Sequence, residues 1–192
     1  DCKSLQQITI PDGVTDIGDD VFYGCSALER IEIPDGVTII GTGMFGYCGN
    51  LKEIILPESI TDIYGGAFNN CTSLERFIFP DKVTAVRDEM FMGCTNLTSV
   101  VLPETADEIP YCAFEGCEKL ESVVIPESVT RIEEWAFNGC KSLKSLKIPA
   151  NVEYIEDWAF ANCGDTLLLQ VKEGSYAHKY AKKRGINFET YK

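Results

Sequence analysis

The chain has 192 residues, of which 45% are hydrophobic, with a net charge of -13 and a pI near 4.5. That acidity argues against nucleic acid and anionic membrane surfaces, since both select basic faces. No apolar run approaches the roughly 18 residues of a membrane span, and an odd count of nine cysteines rules out complete disulfide pairing.

The chain opens on Asp1-Cys2-Lys3, with no hydrophobic leader behind it. From there a single period of 23 residues governs the order of elements. Leucine recurs at Leu5, Leu28, Leu51, Leu74, Leu97, Leu120 and Leu143. Proline follows from Pro11 to Pro149, phenylalanine from Phe22 to Phe160, and cysteine from Cys2 to Cys163, all in the same step. Repeat two shows the order: Leu28, Ile31, Ile33, Pro34, Val37, Ile40, Phe45, Cys48.

Each element follows from that pattern. Ile31 and Ile33 are two apart and point to one face of a strand. Pro34 has no N–H to donate and ends that strand. Val37 and Ile40 turn inward again, and Phe45 and Cys48, three apart, are expected on one face of a short helical turn. A single rung of this kind cannot bury its apolar side, so rungs stack and their strands form a parallel sheet. The expectation is an α/β repeat solenoid with short parallel strands on one face. Residues 1–165 would hold seven repeats counted from Leu5, with a partial rung at 1–4.

The fifth repeat is expected to be locally irregular, because Pro110, Tyr111 and Cys112 interrupt it. Cys112 lies off the period and is expected to be the more exposed and reactive thiol. The on-period cysteines are expected to be buried fillers, because rungs about 4.8 Å apart hold parallel side chains in a line unsuited to disulfides or zinc. Residues 166–192 would form a degenerate last repeat, with Thr166 at the leucine position, and a C-terminal cap. Ser175 would cap a short helix with a basic last turn, Gly185 would stop it, and Ile186 and Phe188 would enter a final strand. Leu5, Ile8 and Ile10 have no preceding rung here to cover them, so either upstream sequence covers them or the missing cap invites end-to-end self-association at the N-terminus.

The motif Leu-x-x-Ile-x-Ile-Pro, Val-Thr-x-Ile, Ala-Phe-x-x-Cys, best seen from Leu120 to Cys140 with Val123 in the first Ile place, resembles the treponemal-type or BspA-like leucine-rich repeat. The resemblance covers nearly the whole chain. It implies a right-handed leucine-rich-repeat superhelix and a secreted or surface-attached bacterial protein. It also implies adhesion to, or binding of, a host or extracellular-matrix protein.

Repetition turns each variable position into a surface column. The outward strand column places Ile55, Ile78, Val101 and Val124 in succession, beside Arg76, Ser99 and Ser122. An apolar stripe rimmed by polar groups marks a protein-binding patch. Trp135 and Trp158, with Tyr111 and Tyr154 nearby in the pattern, form an alternative aromatic site for a glycan; a spacer role is the third reading. The column Asp12, Asp35, Glu58, Asp81, Glu104 and Glu127 suits a solvated face better than calcium, because no loop concentrates its carboxylates. One histidine, His178, and no nucleophile, metal or nucleotide motif point away from catalysis, so neither cofactor nor metal is expected.

Overall fold

The computed structural model describes all 192 residues. The strands fall in two columns along the stack. The main column holds β1 (Arg30–Glu32), β3 (Glu53–Ile55), β5 (Arg76–Phe77), β6 (Ser99–Val101), β8 (Ser122–Val124), β10 (Ser145–Lys147), β12 (Leu168–Lys172) and β13 (Asn187–Tyr191). The second column holds β2 (Ile39–Ile40), β4 (Asp62–Ile63), β7 (Glu108–Ile109), β9 (Arg131–Ile132) and β11 (Tyr154–Ile155). Every pairing is parallel, and between rungs the register advances by one period, as in Arg30 opposite Glu53 and Ser99 opposite Ser122.

Behind the sheet runs one continuous core. Phe45, Phe68, Phe91, Phe114 and Phe137 are fully buried and stack from rung to rung with centroids 5.4–5.8 Å apart. The cysteines lie beside them, and all are free thiols. Each on-period thiol from Cys48 to Cys163 donates to the carbonyl of the phenylalanine 26 residues earlier, for example Cys71 Sγ to Phe45 O at 3.1 Å. That carbonyl already accepts the N–H of Cys48. Cysteine is therefore more than a filler, because its weak S–H donor occupies the second lone pair of a buried oxygen.

The arc bearing these residues is not helical. It is a run of tight turns with two left-handed residues in each of the first six rungs and one in the seventh. One column passes through Asp20, Gly43, Gly66, Glu89, Cys112 and Trp135, and the other through Gly24, Tyr47, Asn70, Gly93, Gly116, Gly139 and Asn162. The alternation aims N–H groups along the solenoid axis. Gly66, Phe68 and Asn70 donate to Asp88, Met90 and Met92 of the next rung at 2.9, 3.1 and 2.6 Å. A continued right-handed helix would return those donors to its own carbonyls.

This arrangement corrects the expectation for repeat five. Cys112 occupies a left-handed column like its equivalents, with φ 52°, and it is buried at 2% exposure. Burial, with the Glu115 side chain adding to it, pushes that thiol up to about 12. The exposed thiol is Cys2. Pro110 does leave a mark. Its equivalents Tyr64, Glu133 and Glu156 each donate a backbone bond to the preceding rung, and proline has no proton to give.

At the C-terminal end, Leu167 replaces the exposed Thr166 in the core. Helix α1 (Tyr176–Arg184) starts at Ser175, whose side chain accepts the His178 N–H, and stops at Gly185 with φ 68°. Ala177, Tyr180 and Ala181 cover the last rung, with Tyr180 edge-on to Phe160. Strand β13, which contains Phe188, closes the sheet against β12.

Candidate functional site

Along β6 and β8 the inward residue is buried and its neighbours face water, so the outward column presents Ile78, Val101 and Val124 in succession, with Ile55 next in the column across a break in the sheet. Ile78 is 87% exposed, Val101 63% and Val124 58%, while Ile55 is half-buried. Arg76, Ser99 and Ser122 form the exposed flanking column. Glu32 and Lys147 close the stripe at its two ends, and Lys147 pairs with Glu127.

The main sheet is not continuous, and its largest interruption falls beneath this stripe. Strand β3 makes no pairing with β5, and no Cα of one lies within 8 Å of a Cα of the other. Two features of the fourth rung account for the gap. Its inward strand residues are Phe77 and Phe79, where the adjacent rungs carry Ile54 with Leu56 and Val100 with Leu102. Phe77 packs against Phe68 at 4.8 Å and Phe91 at 5.0 Å, and the added ring volume separates the backbones. The other feature is Lys82. Its equivalents Ser59, Thr105, Ser128 and Asn151 each bond a carbonyl of the preceding rung, and Lys82 does not.

The result is a cleft of about 390 Å³. Ile54, Leu56 and Phe79 are only partly buried in it, whereas Ile31, Ile33, Val100 and Leu102 at the matching positions are buried. A larger cleft of about 570 Å³ lies between the first two rungs, lined mainly by polar side chains from Gln6 to Glu32.

The four candidate aromatics do not form one platform. Tyr111 and Trp135 meet at 5.8 Å, and Tyr154 packs on Tyr176 at 6.1 Å beneath Arg131. Trp158 is 56% exposed and makes no ring contact with Trp135. The acidic column from Asp12 to Glu127 lies exposed, and no group of three or more His, Cys, Asp or Glu side chains is placed to hold a metal ion. His178 accepts the Gly174 N–H and packs on Phe188, which gives it a structural role in the cap. No helix is long and apolar enough to cross a membrane.

The chain belongs to the BspA-type leucine-rich repeat family. The profile of that repeat region, with six copies, matches residues 1–97 and 66–175. Among solved structures, it is similar to the leucine-rich repeat protein of T. pallidum, with 30% identity over 96% of this chain and 82% of that one, and a TM-score of 0.65. A leucine-rich repeat protein from Eubacterium ventriosum matches 72% of this chain at 29% identity with a TM-score of 0.62, over 44% of its own length. One from Bacteroides ovatus shares the fold at 22% identity, with a TM-score of 0.55 over 97% of this chain and 66% of that chain. No curated protein sequence matches the chain significantly.

Proposed function

We propose that this chain is a non-enzymatic interaction or adhesion module of a secreted or surface-attached bacterial protein, engaging a protein partner through the outward face of the main sheet. One observation carries the reading: Ile78, Val101 and Val124 form an uninterrupted, strongly exposed apolar stripe on the β5–β6–β8 sheet. Isolated exposed apolar residues need no explanation, but a contiguous patch bounded by polar groups favours a partner that removes it from water. Membership of a repeat family built as a binding scaffold supports the same reading.

Selection of a displayed random-peptide library on the purified chain tests it. Peptides enriched on the wild type should lose at least about tenfold in affinity, roughly 1.4 kcal/mol, on the double variant Val101→Glu, Val124→Glu. The fold should survive with only a modest fall in the unfolding midpoint, because both side chains already face water and the cost is confined to two like charges set opposite each other. Enriched peptides that bind this variant undiminished would sink the reading.

A further inference from the structure

The gap between β3 and β5 has the chemistry of a missing strand. Adjacent strands in a sheet sit about 4.8 Å apart, so one inserted strand needs its flanking neighbours roughly 9.6 Å apart. Every β3–β5 Cα pair lies beyond 8 Å. The walls also present unused backbone groups. Ile55 O accepts the Ile33 N–H, and the Glu53 N–H donates to Glu29 O, so the odd-numbered residues of β3 face β1. By the alternation of a parallel ladder, the N–H and C=O of Ile54 face the gap. On the other wall Thr98 N–H donates to Glu75 O, so Glu75 and Phe77 face β6 and the backbone groups of Arg76 and Ile78 face the gap. No backbone bond crosses it.

The side chains specify the occupant further. Ile54, Leu56 and Phe79 make the interior apolar. At the end where the strands begin, Arg76 has no ion-pair partner, whereas Lys52 is bound to Glu29 at 3.4 Å and Glu53 to Arg30 at 3.0 Å. At the far end Glu58 is likewise without a basic partner.

We propose that this slot takes one extended segment of the partner protein as an inserted parallel strand, apolar at alternate positions, acidic at the end beside Arg76 and basic at the end beside Glu58. The proposal rests on the interaction-module reading and deepens it by naming the partner's conformation and chemistry. Backbone pairing would supply affinity, and the pockets between strands would supply selectivity.

The probe is an end-capped eight-residue peptide, aspartate first and lysine last, with valine and threonine alternating between them. In the free protein the amides of Ile54 and Ile78 should exchange with solvent at least about tenfold faster than those of Ile31 and Val124, their ladder equivalents in paired strands. The probe should bind saturably and remove that difference. N-methylating its valines, which deletes donors without touching the protein, should abolish binding. Replacing the wedge by the residues of the next rung, Phe77→Val with Phe79→Leu, should close the slot and do the same. A probe that leaves both amides unprotected, or binds equally well when N-methylated, overturns the proposal. In either case display-selected peptides that still depend on Val101 and Val124 would leave the outward-face reading standing. Peptides indifferent to Val101 and Val124, alongside a protected slot, would remove that reading and leave the slot.

Discussion

Along the arc, every junction among the first seven rungs carries axial backbone bonds, a stacked phenylalanine pair and a thiol–carbonyl bond. On the sheet side the junctions differ. Some are paired in full register, and the one between the third and fourth rungs is open. The arc repeats the same residue types and therefore the same geometry, so it holds the stack together without the sheet. That frees the sheet to vary in side chain, spacing and continuity.

Truncation should expose the contrast most strongly. Phe114→Ala removes a ring that stacks on both neighbours and is fully buried, and it should cost about 3–5 kcal/mol in denaturant unfolding. Phe79→Ala, in the half-open cleft, should cost less than half as much. Equal losses would mean that the sheet side shares the load.

Alkaline titration probes the arc alone. Burial pushes Cys48 and Cys94 up to about 12 and Cys163 to about 11, from an ordinary 9.0. The folded chain therefore holds these protons more tightly than the unfolded chain does. Their contribution is complete below pH 9 and declines as the pH climbs through 9 toward 12. Unfolding midpoints should fall steeply across that window. A Cys94→Ala, Cys117→Ala double variant should fall less steeply, though from a lower starting stability; parallel pH curves would overturn the assignment.

The smallest expected effect lies on the sheet side. Lys82→Ser restores the side chain that bonds a preceding carbonyl in Ser59 and Ser128, and it should stabilise by about 0.5–1.5 kcal/mol. Unchanged stability together with unchanged exchange at Ile54 would show that the phenylalanine wedge alone holds the gap open.

The buried columns of the arc, the strands, the cap helix and the outward stripe were legible in the sequence, because each depends on the polarity of a residue at a fixed place in the period; the backbone path of the arc, expected to be helical, was not. The slot was not. Phe77 and Phe79 satisfy the inward apolar pattern, and only their volume sets them apart from Val100 and Leu102. The absence of a small polar residue at Lys82 was the one local signal that could have located it. Cys112 was misread for a related reason. Its residue type breaks no column, since its backbone position also accepts aspartate, glycine, glutamate and tryptophan, and what the column conserves is a left-handed conformation. The paired left-handed residues that replace a helical turn are equally silent, because tyrosine, asparagine and glycine share the second column.

The contrast between Cys2 and the other eight cysteines gives the molecule a single chemical handle. A maleimide reagent applied to the folded chain should attach once, at the tip of the rod, while the remaining sulfurs stay shielded. These 192 residues can thus be tethered through the first rung without engineering. The rungs could then be peeled in sequence by force, with the open junction as the natural place for an early yield.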